Sequence, residues 1–267
     1  MGGRSIPALP ALLALACAAP VPEPGPAPPP EPPPRTIPPD PPARTPWHEE
    51  PVLARHAADN VVVYNHDDPS LRLDTIAALL QRQYDWLADY TGLAPDWILV
   101  HVGANYPNGF MMGGEPHPEV FLQADRIFDT QVNYAHELLH AFNAELGPTP
   151  HWFNESTADV AYVDSEIELW ERRLEQPFLE QFDRIDHRSY ELLQLRARYG
   201  ADYFPRVYRA LAARLPEARR VLATGSLEER NLLLLEALSE AAGEDLEPLF
   251  RKEFGFNPAR RERQRGY

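Results

Sequence analysis

His136-Glu137-Leu138-Leu139-His140 (HELLH), followed by the stretch HWFNESTAD at 151–159, is the part of the chain on which the reading of the fold turns. In a helix, positions i and i+4 lie on one face about one turn apart. His136 and His140 can therefore aim two imidazoles at a single point, and Glu137, one step round, can reach a water held at that point. Two neutral imidazoles suit a zinc ion, and a neighbouring carboxylate can take a proton from a metal-bound water. The chain has nine histidines in 267 residues. At that density a chance HExxH arises in roughly a few per cent of such chains, so the motif needs support from its surroundings.

A catalytic zinc asks for a third protein ligand and an open position for water. The pattern HExxHxxGxxH would require Gly at 143 and His at 146; Asn143 and Leu146 exclude it. Downstream, Glu155 follows His140 after fourteen intervening residues. That is room for the first helix to end, for GPTPH to turn, and for a second helix to begin. Asp159 stands four residues further, on the same face of that second helix. A ligating histidine commonly donates its other N–H to a carboxylate, which fixes its tautomer and orientation, and Asp159 is placed for that role.

HELLH followed by WFNESTAD resembles the gluzincin metallopeptidases of the thermolysin-like clan, in which a helix carrying HExxH precedes a second helix with NExxxD or WxxEGxAD. The resemblance implies a zincin-like fold with one Zn2+ per chain. His136, His140 and Glu155 would bind the zinc, Glu137 would be the general base, and Asp159 would support a histidine. It also implies that the strand at Glu119–Gln123, just before the HExxH helix, is the edge strand that lines the cleft and pairs with an extended peptide. The likeness reaches the helix–strand unit at 71–102. It also takes in LSEAAGEDLEPLFRKEFGF near the C-terminus, which is similar to the helical end of enhancin-like, mucinase-like and other peptidase-MA-like members. Two departures stand out: Ser156 occupies a position where many relatives have Gly, and the loop between the ligands is short. The implied reaction is amide hydrolysis, whose oxyanion needs a further donor. Tyr190 (in HRSYELLQL) is the first candidate, with Tyr203, Tyr199 and His187 behind it; each also reads as a packed or surface residue. His151 and His117 read as loop and turn residues, and Trp152 and Phe153 as side chains that seat the second helix against the core.

Outward from the motif, Val61–Tyr64, Trp97–Val102 and Glu119–Gln123 are β-rich runs that predict strands. Between the first two, Leu73, Ile76, Leu80, Tyr84 and Leu87 recur at spacings of three and four. They predict an amphipathic helix that Gly92 stops. YPNGFMMGGEPHP, at 106–118, is dense in turn formers and reads as a loop. The chain should turn helical from Asp129 or Thr130, as N-cap, with Gly147 past the C-terminus. Everything later reads as helix, including one opened by a capping box at Ser226–Glu229 and ended by Gly243. The fold class expected is α+β: a small N-terminal mixed sheet, the HExxH helix, and a mostly helical C-terminal half.

The N-terminus reads differently. Residues 1–17 (MGGRSIPALPALLALAC) carry Arg4 and an apolar run too short to span a membrane, the pattern of a signal sequence. Leu13-Ala14-Leu15-Ala16-Cys17 resembles a bacterial lipoprotein signal, in which acylation would fall on Cys17, the chain's one cysteine. The alternative is an ordinary cleaved signal peptide and a secreted protein. Residues 18–46 are proline-rich, unable to bury enough apolar surface to fold, and read as an extended tether. Residues 47–267 are then one metallopeptidase-like domain, expected to be a monomer. With 25 basic against 40 acidic residues and a net charge of −15, the chain is a poor fit to nucleic acid or to an anionic membrane surface. Its membrane contact would be the lipid anchor alone, and its partner a peptide or protein substrate. The leading expectation is an exported zinc metallopeptidase of the cell envelope. The alternatives are a non-catalytic surface-exposed binding protein on a zincin scaffold and a tethered acidic interaction module with an accidental HExxH.

Overall fold

Among the residues described by the computed structural model, which are 52–66, 70–103, 110–112, 117–123, 133–172 and 188–260, five strands build one mixed sheet. They are Ala54–Ala57 (β1), Val61–Asn65 (β2), Ile98–Gly103 (β3), Phe110–Met112 (β4) and Glu119–Gln123 (β5), in the spatial order β1-β2-β3-β5-β4. The described residues belong to a single unit, Pro38–Tyr267. The signal segment with Cys17 and the proline tether lie outside the described residues, as do Asp129, Thr130 and His187.

The centre of the sheet is buried on both faces. β2 pairs with β3, and β3 with β5, in parallel, while β1 and β4 add antiparallel at the two edges. Every residue of β2 and β3 is buried, as parallel strands covered on both sides require. Val61, Val63, Val100, Val102, Val120 and Leu122 face the main core, and Val62, Tyr64 and Leu99 join Trp97 on the opposite face. Both edge strands differ from expectation. β1 has no counterpart in the sequence reading because Ala-Arg-His-Ala is mostly exposed and shows no apolar alternation; its pairing with β2 alone makes it a strand. β4 lies inside the segment read as a loop. Turn formers on either side leave it three residues, too few for a period to register.

β4 also corrects the place of Glu119–Gln123. Phe110, Met111 and Met112 pair with Phe121, Val120 and Glu119, so β5 is an inner strand and, among the described residues, β4 is the edge strand on that side.

Between β2 and β3 runs Leu73–Thr91 (α1). It buries Leu73, Ile76, Ala77, Leu80, Tyr84 and Leu87 along one stripe. Gly92 ends it in the left-handed region (φ 66°), its N–H donating to the Ala88 carbonyl at 2.8 Å; a side chain at this φ would be strained, which is why glycine closes the helix. Next comes Ala135–Ala144 (α2), which begins later than expected. The Tyr134 N–H donates to Gln83 Oε1 (2.7 Å) and the Ala135 N–H to Asn133 Oδ1 (3.0 Å). Asn133 thus forms a side-chain turn that sets the helix start. After a short connection, His151–Glu168 (α3) packs on α2, and His151 is its first residue rather than a loop residue.

The remaining described helices are Ser189–Tyr199 (α4), Tyr203–Ala213 (α5), Leu215–Thr224 (α6), Leu227–Ala242 (α7) and Glu247–Lys252 (α8). The capping box is present: the Glu229 N–H donates to Ser226 Oγ at 3.2 Å and the Ser226 N–H to Glu229 Oε2 at 2.7 Å. Gly243 closes α7 at φ 72°. α3 packs against α2 and α4, and α5 against α1 and α7. Trp152 and Phe153 are buried and do seat α3: the Trp152 indole donates to Asn231 Oδ1 (2.8 Å) and its ring meets Phe250 and Phe256. A small mixed sheet followed by helices is thus the architecture, and it sets α2 and α3 side by side.

Candidate metal centre

α2 owes its orientation to Leu138, Leu139 and Phe142, all fully buried. With those side chains in the core, His136 and His140 turn together toward α3. Their Nε2 atoms lie 3.2 Å apart and their rings stand at 90°. α3 answers with Glu155, whose Oε2 lies 3.6 Å from the Nε2 of each histidine. Among the described residues, His136, His140 and Glu155 form the group of donors close enough to share a metal ion. The fit is quantitative. A tetrahedral zinc with bonds of about 2.1 Å holds its ligand atoms about 3.4 Å apart; the triangle seen here has sides of 3.2, 3.6 and 3.6 Å. The set of two imidazoles and one carboxylate is the chemistry zinc takes in catalytic sites.

The outer atoms of these side chains are held as well. His136 Nδ1 donates to Asp159 Oδ1 at 2.9 Å, so the second-helix carboxylate picked out by spacing does meet His136. The other oxygen of Asp159 accepts from Ser189 Oγ at the first residue of α4. Behind His140 lies a neutral network. Asn143 Nδ2 donates to Asn154 Oδ1 (2.9 Å) and the Tyr208 hydroxyl donates to Asn143 Oδ1 (2.8 Å), while the buried Nδ1 of His140 has no hydrogen-bond partner among the described residues. His151 Nδ1 stands 3.6 Å from Glu155 Oε1, on the oxygen turned away from the histidines. Asn143, Asn154, Ser189 and Tyr208 are absent from the sequence reading of the site, which places His151 in a loop. Asn143 and Asn154 had a local signal, three residues after His140 and one before Glu155; Ser189 and Tyr208 had none.

Electrostatics separates the groups. Burial alone would lower the His136 pKa, but the carboxylates of Asp159 and Glu155 override it and raise it to about 10. Burial lowers His140 to about 4, with the charge on His136 acting in the same sense. Glu155 is raised by burial and lowered more by the imidazoles, ending at about 2. Burial lifts Glu137 to about 7, with Glu155 and Asp159 adding to the rise and His136 opposing it. A carboxylate near neutrality is poised both to take and to give a proton at physiological pH. Glu137 is half-buried beside His136.

Of the candidates for an oxyanion donor, Tyr203 is fully buried and donates to the Leu238 carbonyl (2.9 Å), and Tyr199 donates to Glu244; both hydroxyls are committed elsewhere. Tyr190 is half-buried in the first turn of α4, next to Ser189, with no described hydrogen bond joining it to His136, His140 or Glu155. His117 is half-buried in a bend just before β5.

No family model matches the chain, and no curated protein matches it.

Proposed function

We propose that this chain is a zinc-dependent metallopeptidase of the gluzincin type on a zincin-like scaffold, hydrolysing peptide bonds at the α2–α3 junction. One observation carries the reading: the three donor atoms of His136, His140 and Glu155 form a triangle of 3.2, 3.6 and 3.6 Å, the size of one face of a zinc tetrahedron. Zinc bound there would activate a water and polarise the scissile carbonyl. Glu137, with a pKa raised to about 7 by burial, accepts the water's proton and passes it to the leaving amine. Asp159 keeps the proton of His136 on Nδ1, so that Nε2 offers its lone pair inward. Tyr190 remains the candidate for the oxyanion donor. An extended peptide would add to the edge of the sheet, which among the described residues is β4 rather than β5. The protein would work outside the cytoplasm as a monomer, anchored through a lipid on Cys17 or secreted.

The test uses the full chain. About one zinc per chain is expected by metal analysis, lost in His140→Ala. A peptide-library digest should show cleavage by the zinc-loaded protein and none by Glu137→Gln, which keeps its zinc. Absence of zinc from the wild type, or persistent cleavage by Glu137→Gln, would overturn the reading.

A further inference from the structure

The two imidazoles of the metal centre are backed in different ways. Behind His140 stand the carboxamides of Asn143 and Asn154 with Tyr208, and the buried Nδ1 of His140 has no hydrogen-bond partner among the described residues. His136 meets a carboxylate, Asp159, and that carboxylate is buried, with a relative exposure of 7%. A buried anion is tolerated only where its oxygens are satisfied. Asp159 uses one oxygen for His136 Nδ1, at 2.9 Å. Its other oxygen accepts from Ser189 Oγ, a fully buried hydroxyl thirty residues away at the first position of α4. The N-terminal end of that 11-residue helix also places its positive dipole end beside the carboxylate.

We infer that Ser189 is a positioning residue for the metal centre, acting through Asp159 on His136. Resting on the metallopeptidase reading, the inference adds a component from outside the two ligand-bearing helices. With Ser189 in place, the Asp159 carboxylate has one orientation. His136 then keeps its proton on Nδ1 and presents the Nε2 lone pair to the metal. Without the hydroxyl, Asp159 loses the partner that fixes its second oxygen, the carboxylate rotates, and the His136 ring loses its aim. Partners of this kind behind a ligating histidine typically change metal affinity by about 10- to 100-fold; Ser189 acts one bond further out, so the expected effect is at the lower end, about tenfold.

The test is a zinc-affinity cycle on the full chain, by competition with a chelating dye: wild type, Ser189→Ala, Asp159→Ala and the double variant. Ser189→Ala should weaken zinc binding about tenfold in the wild-type background and leave it unchanged in the Asp159→Ala background, since the route through Asp159 is already cut. Ser189→Thr, which keeps the hydroxyl, should restore binding to within about twofold. The melting temperature of the metal-free protein separates this from a packing role. A residue that only fills space would lower that temperature and leave zinc affinity alone; either that result, or an equal loss in both backgrounds, would overturn the inference. If Asp159→Ala does not fold, Asp159→Asn replaces it in the cycle. Zinc bound normally by the wild type and lost in His140→Ala, with no response to Ser189→Ala, would sink this inference and leave the metallopeptidase reading standing. Absence of zinc from the wild type would instead sink that reading.

Discussion

α1 and α3 are nearly equal in length, 19 and 18 residues, and both are largely buried along one side. What they bury is different. α1 covers an apolar stripe from Leu73 to Leu87, with Gln81, Gln83 and Thr91 as its buried polar residues. α3 buries Ser156, Thr157, Asp159, Asp164, Ser165 and Glu166 beside its apolar residues. Burying three acidic residues on one helix is unfavourable unless each is matched. Each is: Asp159 by His136 and Ser189, Asp164 by Tyr90 and Arg196, and Glu166 by Asn133 and Arg172. Ser156 is the exception, its buried hydroxyl having no hydrogen-bond partner among the described residues. α1 is therefore a helix held by the hydrophobic effect. α3 is held by a set of specific partners, at least one for each acidic side chain brought inside, and it is the helix that carries Glu155.

The comparison breaks most sharply where chemistry and stability are pulled apart. Glu137→Gln removes the proposed proton acceptor and nearly conserves its size. Peptide cleavage should fall by about 10²- to 10⁴-fold while zinc content and melting temperature hold, as read by initial rates and metal analysis. Loss of zinc in this variant would show Glu137 to be a ligand instead. The converse change is Leu80→Ala in α1. Leu80 is fully buried, and its truncation leaves a cavity costing about 3 kcal/mol. Urea unfolding should show that loss, with zinc affinity of the folded protein unchanged. A large change in zinc affinity would mean that α1 is part of the site and not only a support for it.

The same contrast explains how much was legible beforehand. The stripe of α1, the glycines at 92 and 243 and the capping box at Ser226 are local patterns, and the structure contains all of them. HELLH and Asp159 are local too: the first is one helical turn, the second lies one turn after Glu155. What escaped is long-range. The start of α2 depends on Gln83, 51 residues from Tyr134. Ser189 reaches Asp159 across 30 residues and Tyr208 reaches Asn143 across 65. No periodicity encodes such pairs, since they exist only after α4 and α5 have packed on α2 and α3. β1 and β4 escaped for another reason: one is exposed and the other three residues long, and strand signals need buried alternation over a longer run. Missing β4 made β5 look like the edge.

A smaller effect concerns protons. In the metal-free protein at neutral pH, His136 is charged (pKa about 10), His140 is neutral (about 4) and Glu155 is ionised (about 2). A metal ion needs the neutral form of both histidines and the charged form of the carboxylate. Only His136 has to change, so zinc binding at pH 7 should release about one proton, and affinity should rise about tenfold per pH unit between about pH 5 and 9. Calorimetry in buffers of different ionisation enthalpy measures the proton directly. Zinc uptake with no proton release would mean that His136 is already neutral before the metal arrives.

The smallest effect tests whether α3's buried acids sit inside at the expense of their charge. Asp164 is fully buried, accepting from the Tyr90 hydroxyl (2.7 Å) and paired with Arg196. Burial raises its pKa from 3.8 to about 6, against the pull of Arg196 and Tyr90 in the other direction. A folded-state pKa above the unfolded one means that the folded protein holds the proton more tightly. The contribution to stability is then fully present below the unfolded value near 3.8 and is lost as pH rises through about 6. An asparagine at this position cannot titrate. The stability difference between wild type and Asp164→Asn should therefore shift in favour of the wild type as pH falls from 7 to 4.5, by urea unfolding at the two pH values. A shift in the opposite direction would mean that Arg196 outweighs burial and that Asp164 is held as a full anion, making α3 a helix stabilised by its charges rather than one that tolerates them.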